Sequence, residues 1–485
     1  MKKTLFIAAM LLTAAAQSLL AREGYRVKLT APDAKDTMVY LVHYYGNVKP
    51  MYISDSTRFD RSGVAILESK DPDFKGGIYT IMFKDSKQTN FELLLNKGDD
   101  IAIFCKRSAI PKGIEFRNSP ENDRFRKYHD FIESYAIEQK ALEAELKEAK
   151  TAADTAAVRK KAIASNKERI NYMRNYAASY PGTLLATVFN AMEVPEIPEG
   201  THYLDDGRTK DSTFAYRYYK THYWDKFNFK DDRLIYTPIY DGKIEEYISK
   251  LVLASPDSVN KESDMLLEKA KGTKDMFHYT LFWLTHYAEN SKVMGLDEVF
   301  VHLVENYYMK GDAFWLTTTE LAKYIDRAKA IAPNVIGNLA PEVKQPNVFT
   351  KKEESLHALK TPYTLLVFYS PTCGHCEHEL PLLDSLYEAT LKDKGLKVFT
   401  VATEGEEKQI TDFLTKHKLD KKWTNTWDPE GKRDFRDKYD VFSTPTIYLL
   451  DEKKIIRGKR IDHNNIGTLV EMLEKKNALG KQEKI

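Results

Sequence analysis

Three cysteines in 485 residues are too few for the disulfide lattice that braces small secreted domains. Two of them, Cys373 and Cys376, are separated by only Gly374 and His375. A loop that short is a poor staple, because disulfide stabilisation grows with the length of chain closed. The pair therefore reads as a reagent rather than a brace. Cys105 stands alone in an alternating apolar segment, 101–105, and reads as a small buried core residue. Long apolar runs are equally scarce, since beyond the N-terminus nothing approaches the roughly 20 residues that a membrane-spanning helix needs. The N-terminus runs Met1-Lys2-Lys3, an apolar stretch over 5–12, then Ala14, Ala15 and Ala16. That is the order of a secretory signal, with cleavage expected after Ala16 or as late as Ala21. About a dozen apolar residues are too few for an anchor, and the lack of a cysteine near the cleavage point argues against a lipoprotein. The expected product is exported and periplasmic, with no membrane span.

An excess of one charge is also missing: 73 Lys and Arg face 71 Asp and Glu, and loss of Lys2 and Lys3 with the signal would even the count. Such a balance gives no general attraction to nucleic acid or anionic lipid. No Ser-His-Asp order, phosphate-cradling glycine loop or HExxH occurs, and no repeat of fixed period stands out.

What is present falls into three regions. Short β-rich runs at 25–29, 38–45, 77–83, 91–96 and 101–105, divided by turn residues, predict an all-β, sandwich-like domain over 22–117. At Ser119-Pro120-Glu121 the period changes, with Ser119 expected as the N-cap and Pro120 at the first helical position. Ala-, Glu- and Lys-rich sequence then runs to Tyr180 and Pro181-Gly182, predicting two long helices packed as a hairpin. Apolar stripes such as Ile244, Tyr247, Ile248 and Leu251, or Val299, Leu303 and Tyr307, extend an all-α bundle over 118–335.

From Ile336-Gly337-Asn338-Leu339-Ala340-Pro341 the pattern becomes α/β, over 336–485. Strands are expected at 365–369, 398–402, 447–450 and 455–457, with helices at 374–390, 406–417, 432–439 and 466–473.

Cys373-Gly374-His375-Cys376 sits where the first of these strands gives way to a helix. Zinc knuckles share the CxxC spacing, but structural zinc takes four ligands, and only one pair exists here. Adding His375 and His378 would force four ligands into six residues, so no metal site is assigned. Haem attachment by CxxCH fails because Glu377 follows Cys376. A dithiol, in contrast, needs its first sulfur at a helix N-terminus, where unsatisfied amides and the macrodipole favour thiolate. Cys373 is then the attacking nucleophile, and Cys376, one turn deeper, resolves the mixed disulfide. His375, when protonated, would stabilise the thiolate further. Glu379, three residues after Cys376 and on the same helical face, could move protons for it. Pro381 is expected to kink the helix. No bound cofactor is required.

These residues, with Thr444-Pro445-Thr446 and the approach 337–341, resemble the thioredoxin superfamily, specifically its exported TlpA/ResA-like branch. The resemblance implies a redox pair at Cys373 and Cys376, proton transfer by Glu379, and a cis Pro445 lying against the cysteines. Thr444 would then pair with an extended segment of a substrate protein. It implies protein thiols and disulfides as substrates, and an upstream redox partner. Val367 stands where thioredoxins often carry a buried aspartate, and Thr372 replaces the common tryptophan. The CGHC motif is similar to that of protein disulfide isomerases. More loosely, the whole chain resembles multidomain thioredoxin-like proteins of Bacteroidota, with β-rich and helical domains of unknown role. Two other readings stay open: a periplasmic binding or scaffold protein with an accessory thioredoxin-like domain, and copper delivery by Cys373, Cys376 and His378. A peroxiredoxin would need a PxxxTxxC arrangement that is missing around Cys373.

Overall fold

The computed structural model describes residues 23–84, 90–431 and 435–482. The expected signal over 1–21 lies outside them, as does the expected start of a helix at Lys432. The described residues form two compact units, one holding those up to Val252 plus Leu267–Tyr279, the other Leu253–Leu266 and those from Thr280 onward.

In the first unit, eight strands form two four-stranded sheets: β1 (Tyr25–Thr30), β2 (Met38–Tyr45), β3 (Asn47–Arg58), β4 (Val64–Ser69), β5 (Gly77–Phe83), β6 (Asn90–Leu95), β7 (Asp100–Cys105) and β8 (Ile114–Arg117). Their orders are β4-β1-β7-β8 and β3-β2-β5-β6. Period-two alternation puts Val27, Leu29, Ile101 and Ile103 of one sheet and Val39, Leu41, Ile81 and Leu93 of the other into a shared core, the arrangement of a sandwich. Cys105 is buried in that core, as expected. β3 has no apolar alternation and contains Pro50, which is why its sequence does not read as a strand. It occupies a sheet edge, where a missing N–H and polar side chains are tolerated.

Two long helices follow, Pro120–Glu148 and Ala152–Ser179. Thr151 opens the second with a capping box: its hydroxyl accepts from the Asp154 amide at 3.1 Å and its own amide donates to the Asp154 carboxylate at 3.2 Å. Ser119 is the N-cap of the first helix, but its side chain makes no capping bond there. Its hydroxyl instead accepts from Asn122 Nδ2 at 2.8 Å. The buried Asn122 amide also accepts from Leu94 N–H at 2.7 Å and donates to Leu94 C=O at 2.8 Å. One side chain thereby completes the ladder at the β6 edge, where backbone groups would otherwise be buried unpaired.

The second unit carries helices followed by an α/β domain. Its short strands β9 (Lys344–Pro346) and β10 (Glu353–Ser355) pair with each other. A five-stranded mixed sheet has the order β13-β12-β11-β14-β15, built from β11 (Tyr363–Tyr369), β12 (Lys397–Ala402), β13 (Thr424–Thr426), β14 (Thr446–Asp451) and β15 (Ile456–Lys459). β11 runs parallel to β12 and antiparallel to β14. Every residue of β11 is buried because both sheet faces are covered. Leu365, Val367 and Tyr369 enter one core with Cys376, Leu380 and Leu383, while Leu366 and Phe368 enter another with Phe435, Tyr439 and Tyr448. The architecture is thus strand-rich, then helical, then α/β, as the sequence pattern predicts. The last helix runs His463–Gln482, longer than the expected 466–473. Asp462 begins it by accepting from the Asn464 amide at 2.9 Å. Among the described residues, no helix is long and apolar enough to cross a membrane.

Candidate active site

β11 ends at Tyr369, and four residues later Cys373 is the N-cap of the helix Gly374–Leu386. That helix continues through Pro381. The turn between is tied by side chains: Ser370 Oγ donates to the Glu404 carboxylate at 2.6 Å, and Thr372 Oγ1 donates to the same oxygen at 3.2 Å. Glu404, just beyond β12, is therefore a site residue that periodicity and motif spacing do not reveal. Thr372, in the place of the common tryptophan, has a hydroxyl engaged in holding this turn.

The two thiols are unbridged and differ in environment. Cys373 is half-buried, and its Sγ lies 3.2 Å from the Thr444 carbonyl oxygen. Thr444–Pro445 is a cis peptide, and the carbonyl that Cys373 reaches belongs to that bond. Burial by itself would raise the Cys373 thiol. Hydrogen bonds to the sulfur from Thr444, from Cys376 and from the backbone amides of Cys376 and His375 outweigh it and hold the thiol below its ordinary value. Cys376 is fully buried in the core. Burial, reinforced by the nearby Cys373 sulfur, pushes its thiol up to about 12. The half-buried sulfur is thus the more acidic of the two, and its fully buried neighbour the less acidic.

His375 is exposed, and its backbone amide is one of the donors to Cys373. His378 is exposed as well. Among the described residues no group of three or more His, Cys, Asp or Glu side chains is arranged to hold a metal ion. Glu379 faces the start of the last helix: the His463 amide donates to its carboxylate at 2.7 Å, and His463 Nδ1 is 2.9 Å from each oxygen. Val367 is fully buried in the core that contains Cys376. Tyr369, in the same core, has a buried hydroxyl with no hydrogen-bond partner among the described residues. Burial, and secondarily the Cys376 sulfur, keep that phenol protonated.

A half-buried sulfur at a strand-to-helix junction, a fully buried second sulfur and an adjoining cis Thr444–Pro445 peptide lie together on a thioredoxin fold. Residues 336–459 match the AhpC/TSA family, and residues 147–334 match a domain of unknown function, DUF5106. The chain is 29% identical over 154 residues to a thioredoxin-like protein of Haemophilus influenzae, spanning 31% of this chain and 84% of that protein. It is 31% identical over 100 residues to sporulation thiol-disulfide oxidoreductase A of Bacillus subtilis, spanning 20% of this chain and 58% of that protein. It is 30% identical over 128 residues to the thioredoxin-like protein YneN of Bacillus subtilis, spanning 25% of this chain and 68% of that protein. Through its C-terminal domain the chain belongs to the thioredoxin-like family of thiol-disulfide oxidoreductases.

Proposed function

We propose that this protein is exported to the periplasm and exchanges disulfides with partner proteins through Cys373 and Cys376. The observation that carries the reading is the unequal placement of the two sulfurs: Cys373 half-buried at its helix start with Sγ 3.2 Å from the Thr444 carbonyl, and Cys376 fully buried in the core. In the reducing direction the Cys373 thiolate attacks one sulfur of a partner disulfide. A Cys373–partner bond forms, and the partner's other sulfur leaves as a thiolate and takes a proton. Cys376 then loses its proton and attacks Cys373 Sγ. The second partner sulfur is released, leaving a Cys373–Cys376 disulfide and a partner reduced by two electrons. An upstream redox protein regenerates the dithiol, and the same steps run backwards oxidise a partner.

Glu379 serves the second step as the group that takes the Cys376 proton, with His463 fixing its carboxylate. His375 contributes its backbone amide, which donates to the Cys373 sulfur. Thr444 and Pro445 form the substrate-binding edge, where an extended partner segment pairs with the Thr444 backbone.

Trapping tests the assignment. Cys373→Ser is expected to abolish disulfide exchange on insulin, while Cys376→Ser accumulates mixed disulfides that dissolve on addition of dithiothreitol. Undiminished turnover in Cys373→Ser would overturn the proposal. N-terminal sequencing of periplasmic material tests export, with a mature start between residues 17 and 22 expected.

A further inference from the structure

The β-sandwich carries a second concave site, whose features do not depend on the dithiol. Its cavity measures about 460 Å³, within the range of small-ligand and side-chain pockets. The wall is aromatic. His43 on β2 stands opposite Tyr52 on β3 and Tyr79 on β5, so the three rings fall side by side. The His43 ring centre is 5.6 Å from Tyr52, 5.7 Å from Tyr79 and 5.2 Å from Tyr236. Tyr45, two residues further along β2, meets Tyr236 edge-on at 5.8 Å. His43 and Tyr45 continue the row that Val39 and Leu41 begin in the core, so the cavity is the open end of the sandwich interior.

Several of the polar groups around these rings are acceptors. His43 Nδ1 lies 2.6 Å from the Tyr44 carbonyl and therefore carries its proton there. Burial holds the imidazole below its ordinary range, so Nε2 is a free-electron-pair acceptor at neutral pH. Asp71 and Asp73 line the mouth and are exposed. Behind the aromatic wall, Asp275 accepts from Tyr236 Oη at 3.1 Å, and Asp232 and Asp275 both act on Tyr45. Asp55 acts on Tyr25 at the other side. Against these five carboxylates stand Lys75, which lines the cavity, and Lys97, whose ammonium is taken by the Pro72 carbonyl.

Electron-rich ring faces within a field of carboxylates attract a cation with several donors. A guanidinium suits this set better than an ammonium, because it stacks on aromatic rings while its planar N–H fork reaches acceptors such as His43 Nε2 and Asp73. The cavity also adjoins β3, an edge strand on which Tyr52 is 48% and Ile53 65% exposed. An exposed edge offers unpaired backbone groups to another extended chain. We propose that this cavity binds an arginine side chain presented by an extended segment of a partner polypeptide.

The test is calorimetric titration of the full chain with three probes: a capped heptapeptide with one central arginine, the same peptide with citrulline, and N-acetyl-arginine amide. Citrulline keeps the shape of arginine and removes the charge. The arginine peptide is expected to bind about tenfold or more tightly than the citrulline peptide, and more tightly than the free amide. Asp73→Asn and Tyr52→Ala should each weaken the arginine peptide several-fold. Asp73 is exposed, so Asp73→Asn keeps the test valid if Tyr52→Ala fails to fold. Equal binding of the arginine and citrulline peptides, indifference to Asp73→Asn, or no heat at millimolar peptide would overturn the proposal. Equal affinity for N-acetyl-arginine amide and the peptide would overturn the polypeptide assignment in favour of a small guanidinium compound. The readout involves no thiol chemistry, so its outcome is separate from that of the trapping experiment.

Discussion

Glu379 and His463 form a two-point clasp in which the His463 amide and Nδ1 both reach one carboxylate, at 2.7 and 2.9 Å. The clasp joins the helix that begins after Cys373 to the first turn of the last helix, where the macrodipole also favours an anion. If Glu379 takes the Cys376 proton, Glu379→Gln keeps the shape and loses the base. Resolution of the mixed disulfide should then slow by about 100-fold, the lower end of general-base effects. Attack by Cys373 should be unchanged, and single-turnover quench separates the two steps. His463→Ala removes the imidazole but keeps the amide, so a smaller slowing of the same step is expected.

The sulfur environments predict selective alkylation. Thiolate is the reactive form, and an ordinary thiol ionises at about 8.5. Cys373 is held lower by its hydrogen-bond donors, so its reaction with iodoacetamide should reach half-maximal rate below that pH. Cys376, raised to about 12, should stay unmodified at neutral pH in native Cys373→Ser protein and react only after unfolding. Mass spectrometry of the peptide containing residues 373–376 across pH checks both.

The same donors bear on the direction of electron flow. Whatever stabilises the Cys373 thiolate stabilises the reduced form and makes the disulfide more oxidising. The potential is therefore expected above the thioredoxin value of about −270 mV, towards the isomerase value of about −180 mV. Thr444→Val deletes the hydroxyl that lowers the Cys373 thiol. It should raise that thiol's pKa, slow its alkylation at pH 7 and shift the potential to a more negative value. Equilibration against glutathione measures the shift.

Much of this site is legible in linear sequence because its parts are local. The CxxC pair, the apolar run 365–369 of β11 and the Thr-Pro-Thr tripeptide each carry their own signal, and strand-helix order brings Cys373 to Thr444. The missing parts are those made by distant single residues. Glu404 and His463 are ordinary polar residues in sequence, and only the sheet crossover and the return of the last helix bring them to the turn and to Glu379. β3 escapes notice for a different reason: an edge strand is not required to show buried alternation. The Asn122 amide that closes the β6 edge sits inside a helix and offers no pattern at all.

Lys459 and Asp297 form an ion pair buried within the second unit, with side-chain exposures of 1% and 10%. The Lys459 ammonium also donates to Asn334 Oδ1 at 2.7 Å. One Asp297 oxygen has no partner among the described residues, so the pair has little reserve if either side is lost. Burial lowers the Lys459 pKa, and Asp297 opposes that fall. Asp297→Ala leaves a buried, uncompensated ammonium and should destabilise the fold by about 3–5 kcal/mol, whereas replacing both residues, Lys459→Met with Asp297→Leu, should be near neutral. The pH dependence has a definite sign. With its folded pKa below the unfolded value of about 10.4, Lys459 binds more protons in the unfolded chain between those two values, so stability rises with pH across that window. Asp297→Ala depresses the folded pKa further, which widens the window downward. Its deficit relative to the parent should therefore shrink between pH 7 and pH 10. Urea unfolding of both variants at the two pH values checks this, and a deficit that grows with pH would show that the lysine is not the charge responsible.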